Sequence, residues 1–120
     1  MRVLIVDDSR VMRSIVARTL RQAGFADLEV GEAGNGREAL DAIASDPPDL
    51  VLCDWNMPEM SGIELLGSLR AAGNQVPFGF VTSEGSPAMR ERAEAAGAKF
   101  LIAKPFTAEV FSDALEGVLA

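Results

Sequence analysis

Five short apolar runs punctuate the chain, Arg2–Val6, Leu28–Ala33, Leu50–Cys53, Phe78–Val81 and Phe100–Ala103, and a longer amphipathic segment follows each. Continuous apolar runs of this length, rich in Val, Ile, Leu and Phe, suit strands buried on both faces. The second run alternates weakly. Val11, Met12, Ile15, Val16, Thr19 and Leu20 recur at helical spacing between Ser9 and the stop at Gly24. Ala39, Leu40, Ile43 and Ala44 mark a helix between Asn35-Gly36 and Pro47-Pro48. Ser61 and Glu64 match a capping box, in which each side chain accepts from the other's backbone N–H, and Ile63, Leu66 and Leu69 are expected to face inward before Gly73. Ser86-Pro87 reads as an N-cap with proline at the first helical position of a polar, alanine-rich helix. Thr107 caps a last helix with Val110, Phe111, Ala114, Leu115 and Val118 expected inward.

Strand–helix alternation with fully apolar strands implies a parallel sheet covered by helices on both faces. Right-handed crossovers leave few topologies, and the expected one is the doubly wound, flavodoxin-like (βα)5 sheet with strand order 2-1-3-4-5. Its 120 residues suffice for one domain with its own core. Composition then removes whole classes of chemistry. The chain has no histidine, which excludes His-ligated zinc and His-dependent triads and dyads. Its single cysteine, Cys53, excludes an internal disulfide. A formal net charge of −7 argues against nucleic acid and anionic membranes as partners. No run approaches the ~20 apolar residues of a membrane span, and no leader pattern follows Met1, so the cytoplasm is the expected location.

In open α/β sheets the ligand site lies beyond the carboxyl ends of the strands. Strand one ends in Asp7-Asp8, strand three in Asp54, strand four in Thr82-Ser83-Glu84 and strand five in Lys104-Pro105. The fold therefore brings three carboxylates, a hydroxyl and an ammonium to one rim. Two carboxylates ~4 Å apart repel by roughly 4 kcal/mol at an effective dielectric of ~20. A cluster of three needs a cation or a proton, and hard oxygens without soft donors suit Mg²⁺, with Mn²⁺ as the alternative. Mg²⁺ keeps open positions for phosphate oxygens, and a carboxylate can act as nucleophile to form an acyl phosphate. Asp54, alone at the central strand, is the candidate acceptor. Lys104 would neutralise charge on the phosphoryl oxygens and Thr82 would donate a hydrogen bond to one of them.

These residues, in this order on these strand ends, resemble a receiver domain of a two-component response regulator of the CheY-like chemotaxis type. The resemblance covers residues 1–120 as a single receiver domain and rests on Asp7-Asp8, Asp54, Thr82 and Lys104-Pro105-Phe106. The run Asp54-Trp55-Asn56-Met57-Pro58, with Gly62 closing the loop, is similar to chemotaxis members. The resemblance implies that Asp54 accepts a phosphoryl group from a sensor histidine kinase, a phosphotransfer protein or a small donor. It implies that Asp8, Asp54 and the backbone carbonyl of Asn56 bind Mg²⁺ directly, with Asp7 acting through a metal-bound water. It assigns Lys104 and Thr82 to the phosphoryl group, Asn56 and Glu84 to the tuning of dephosphorylation, and a cis bond to Lys104-Pro105. A downstream protein, with a flagellar motor switch as one candidate, would read the phosphorylated state.

One position departs from the family. Where an aromatic commonly stands three residues before the lysine, this chain has Leu101, and it contains no tyrosine. Phe100 is adjacent, but strand alternation sends it to the opposite face. The usual paired movement of threonine and aromatic is therefore not expected here in its usual form. Three alternatives compete with the switch reading: a receiver-fold scaffold that is not phosphorylated, a binder of flavin or another cofactor, and an aspartyl-phosphate phosphatase or phosphotransferase. Such enzymes place a second acid two residues after the nucleophile. Here that position is Asn56 after Asp54 and Ser9 after Asp7, which favours a signalling protein over an enzyme. A flavin-type binder would want a glycine- and hydroxyl-rich loop where this chain has Asp7-Asp8-Ser9. A monomer is expected, since no long apolar helix face is left over.

Overall fold

All five apolar runs become strands. A computed structural model describes residues 1–119. The elements are β1 (Arg2–Val6), α1 (Arg10–Gln22), β2 (Glu29–Ala33), α2 (Gly36–Ser45), β3 (Leu50–Cys53), α3 (Gly62–Ala71), β4 (Phe78–Thr82), α4 (Pro87–Ala95), β5 (Phe100–Ala103) and α5 (Ala108–Leu119). The sheet is parallel, in the order β2-β1-β3-β4-β5. Strands β1, β3, β4 and β5 are largely buried, whereas β2, at the sheet edge, buries only Ala33.

Strand alternation divides the core in two. Leu4, Val6, Val51, Cys53, Phe78, Phe80 and Leu101 face one side, where Ala39 and Ile43 of α2, Leu65, Leu66 and Leu69 of α3, and Ala93 of α4 cover them. Val3, Ile5, Leu50, Leu52, Val81 and Ile102 face the other, under Val16 and Leu20 of α1 and Phe111 and Leu115 of α5. Phe100 packs on this second side, opposite to Leu101, as alternation requires.

The helix boundaries follow local chemistry. Ser9, Asn35, Ser61 and Ser86 each cap a helix by accepting a backbone N–H three residues on, and the Ser61–Glu64 capping box is reciprocal. Positive φ at Gly24, Gly73 and Gly97 ends the turns after α1, α3 and α4. Two inward expectations fail. Val110 is 42% exposed, and Val11, although in helical register with the core residues of α1, is 70% exposed. Their neighbours Met12 and Phe111 pack on the core instead, so each valine sits at the margin of its helix's buried face. Leu65, unremarked in the periodicity, is fully buried instead, and Ala44 is exposed while Ala42 packs on the core. Among the described residues, no helix is long and apolar enough to cross a membrane.

Candidate metal centre

Strand register brings the site together. Val6 pairs with Cys53, and the next residue donates onward, Asp54 N–H to the Val6 carbonyl at 2.9 Å. Asp7 N–H likewise donates to the Ala33 carbonyl at 3.1 Å, and Lys104 N–H to the Thr82 carbonyl at 2.7 Å. Asp7, Asp54 and Lys104 thus leave the sheet at the same rim as direct continuations of its ladder.

Ligand oxygens from Asp7, Asp8 and Asp54 all lie within 4.8 Å of one another. Asp7 is buried, Asp54 half-buried and Asp8 exposed. The Lys104 ammonium reaches into this cluster, 3.3 Å from Asp7 Oδ2 and 3.8 Å from Asp54 Oδ1. Burial raises the pKa of the Asp54 carboxyl, and the charges of Asp7 and Asp8 add to that; Lys104 and the Trp55 backbone N–H act in the opposite direction. Cys53, one residue earlier, points into the apolar core, and burial lifts its thiol well above the ordinary range, with Asp54 and Asp7 contributing.

The donor set fits a small hard cation. Three carboxylates converge with no nitrogen or sulfur ligand among them, as Mg²⁺ or Mn²⁺ requires. The loop after β3 is held by Gly62, whose N–H donates to the Trp55 carbonyl at 2.7 Å. A Cβ at Gly62 would overlap the Asp54 carbonyl and come within 2.9 Å of the Phe80 ring, so only glycine lets this loop close over the site.

The other sequence-selected residues lie at different depths. Thr82 is fully buried, and its hydroxyl accepts from the Glu84 backbone N–H at 3.4 Å, within its own turn. Leu101 is buried on the α4 side of the sheet. Asn56 and Glu84 are exposed at the rim, and neither side chain makes a hydrogen bond among the described residues. The Lys104–Pro105 bond is cis.

Three supporting residues escape a reading of strand ends. Arg13 on α1 donates from Nη1 to the Asp7 carbonyl at 2.6 Å and from Nε to Glu32 at 2.9 Å, fixing the end of β1. Ser9 N–H donates to Asp7 Oδ1 at 2.9 Å. Arg92 on α4 lies over the Trp55 ring, 5.5 Å from its centre. Four arginines without an acid on α1 was the one visible sign of the first; no sequence spacing marks the Arg92 contact.

Residues 3–116 match the response regulator receiver domain family. The chain is 40% identical to chemotaxis protein CheY1 of Helicobacter pylori, over 99% of this chain and 97% of the relative. It is 38% identical to chemotaxis protein CheY of Pseudomonas aeruginosa, over 98% and 95% of the two chains. The fold superposes on Vibrio cholerae chemotaxis protein CheY4 with a TM-score of 0.85 at 36% identity, covering 98% of this chain and 97% of that one.

Proposed function

The chain belongs to the response regulator receiver domain family, of the CheY type, and from that premise we propose that it is a phosphorylation-dependent switch with Asp54 as acceptor. The observation that carries the reading is the Lys104 ammonium set between Asp7 and Asp54 beside a three-carboxylate cluster. Asp8, Asp54 and the Asn56 carbonyl would hold Mg²⁺ directly, with Asp7 acting through water. Bound there, Mg²⁺ would neutralise the charge of the phosphoryl oxygens.

Asp54 attacks phosphorus with a carboxylate oxygen. The new O–P bond forms as the P–N bond of a donor phosphohistidine breaks. The imidazole leaves with the electron pair of that bond and is protonated from solvent. Lys104 pairs with the transferred group, and Thr82 turns its hydroxyl from the Glu84 N–H toward a phosphoryl oxygen. Asn56 and Glu84, exposed at the rim, stand where a hydrolytic water would approach and so set the lifetime of the phosphoryl group. The switch turns over no metabolite. Its donor is a sensor histidine kinase or phosphotransfer protein met in the cytoplasm. The chemotaxis names of its relatives favour a motility target such as the flagellar motor switch.

Acetyl phosphate, an activated acyl phosphate, tests this directly. Intact mass should show the gain of one phosphoryl group that requires Mg²⁺ and is lost in Asp54→Asn. Mg²⁺ binding without any mass gain, from acetyl phosphate or from a phosphorylated histidine kinase, would favour the scaffold reading. An unchanged mass gain in Asp54→Asn would overturn the assignment of the acceptor.

A further inference from the structure

α4 is thinly anchored. Ala93 is its one buried residue, with Met89 and Ala96 only partly covered, whereas α3 buries Leu65, Leu66 and Leu69. So little apolar contact leaves the position of α4 largely to polar contacts: Arg70 of α3 holds the turn after its C-terminus, Nη2 donating to the Gly97 carbonyl at 2.9 Å, and two arginines of α4 itself reach toward the site. Arg90 Nη1 donates to the Leu101 carbonyl at 3.0 Å and its Nε to the Gly85 carbonyl at 3.3 Å. One guanidinium therefore joins β5, three residues before Lys104, to the loop three residues after Thr82. That loop lies tight against β5: a Cβ at Gly85 would sit 3.0 Å from the Ala103 Cβ and 3.3 Å from Arg90 Nη2. Arg92 makes the second attachment, its guanidinium 5.5 Å from the centre of the Trp55 ring. Trp55 follows Asp54 and stacks on Phe80 at 4.8 Å between ring centres.

Resting on the receiver reading, we infer that Arg90 and Arg92 are positioning residues that tether α4 to the segments carrying Asp54, Thr82 and Lys104, so that the state of the site sets where α4 sits. The Thr82 hydroxyl now accepts from Glu84 N–H. When it turns toward a phosphoryl group, the turn from Thr82 to Gly85 loses that bond, the Gly85 carbonyl shifts and the Arg90 bridge weakens. A contact made in one state only biases the equilibrium between the two. The bridge needs a planar fork, which arginine has and lysine lacks. Leu101 enters this coupling through its carbonyl, so an aromatic side chain at that position is not required.

Amide hydrogen exchange, read residue by residue, tests the tether in two arms. Without donor, Arg90→Gln should speed exchange over residues 87–95 by about tenfold, the size expected for loss of a charged hydrogen bond, with α1 and α3 unchanged. Arg90→Lys should behave like Arg90→Gln, and Arg92→Leu should move α4 in the same direction. With Mg²⁺ and acetyl phosphate, the wild type should show faster α4 exchange on phosphorylation. Arg90→Gln should gain the same mass but show no further change. Wild-type exchange in Arg90→Gln and Arg92→Leu, or a wild-type donor response in the former, would overturn the tether. A wild type that gains no mass refutes the acceptor reading instead, and the donor-free arm still decides the tether.

Discussion

Replacing Lys104 with methionine keeps the apolar stem and removes the charge, and the structure fixes what should follow. At 3.3 Å from Asp7 and 3.8 Å from Asp54, the ammonium attracts the two carboxylates by about 5 and about 4 kcal/mol at an effective dielectric of ~20. Carboxylates no more than 4.8 Å apart repel by about 3.5 kcal/mol per pair on the same scale. Solvent screens the share of exposed Asp8, and desolvation of the ammonium offsets part of the attraction. Removing one partner from such a cluster costs about 3 kcal/mol, near the low end for buried pairs because water reaches the rim. In EDTA at pH 7, urea unfolding followed by Trp55 emission should therefore show Lys104→Met destabilised by about that amount. Mg²⁺ should bind the variant at least about tenfold more tightly, since the ammonium no longer competes for Asp7 and Asp54, a gain of about 1.4 kcal/mol. Saturating Mg²⁺ should then recover much of the lost stability by mass action. An unchanged urea midpoint together with an unchanged Mg²⁺ affinity would refute the view that Lys104 balances this cluster.

Further outcomes follow from the same geometry. Burial first, with Asp7 and Asp8, raises the pKa of Asp54 above its reference value of 3.8, so the folded state favours the protonated form. The metal-free protein should lose stability as pH rises from 3.8 through the raised folded value, and Asp54→Asn should remove that loss. Urea midpoints of the two proteins across this range should converge at the acid end and separate, with the variant more stable, toward neutrality. Gly62→Ala drives a Cβ into the Asp54 carbonyl; we expect a loss of about 1–3 kcal/mol and weaker Mg²⁺ binding, read from the same titrations. Gly79→Ala drives a Cβ into the Phe100 ring. It should cost about 1–3 kcal/mol while leaving Mg²⁺ affinity unchanged, because Phe100 packs away from the acidic rim.

Strand ends were readable because a continuous apolar run stops at its first charged residue, which leaves the apolar layers for the polar rim: Val6 before Asp7, Cys53 before Asp54, Ala103 before Lys104. Helix starts were readable because capping is a contact between residues three apart, as at Ser61 and Glu64. Helix faces were read less well. Helical spacing aligns Val11 and Val110 with core residues, but how wide a face is buried depends on how each helix is rotated against the sheet, and both valines fall outside it while Met12 and Phe111 pack inside.

Which side chains stand at which strand ends, and so the candidate site's place in the topology, was legible in the sequence. Residue type at each strand terminus is a local property, and parallel strands send all those termini to one rim. Tertiary structure alone decided the pairings. Lys104 meets Asp7 across 97 residues, Arg13 fastens the end of β1, and Arg90 and Arg92 reach Leu101, Gly85 and Trp55. Long charged side chains carry no spacing rule between elements. Their partners depend on register, helix placement and the closing of a loop around Gly62, which exist only once the two faces of the sheet are covered.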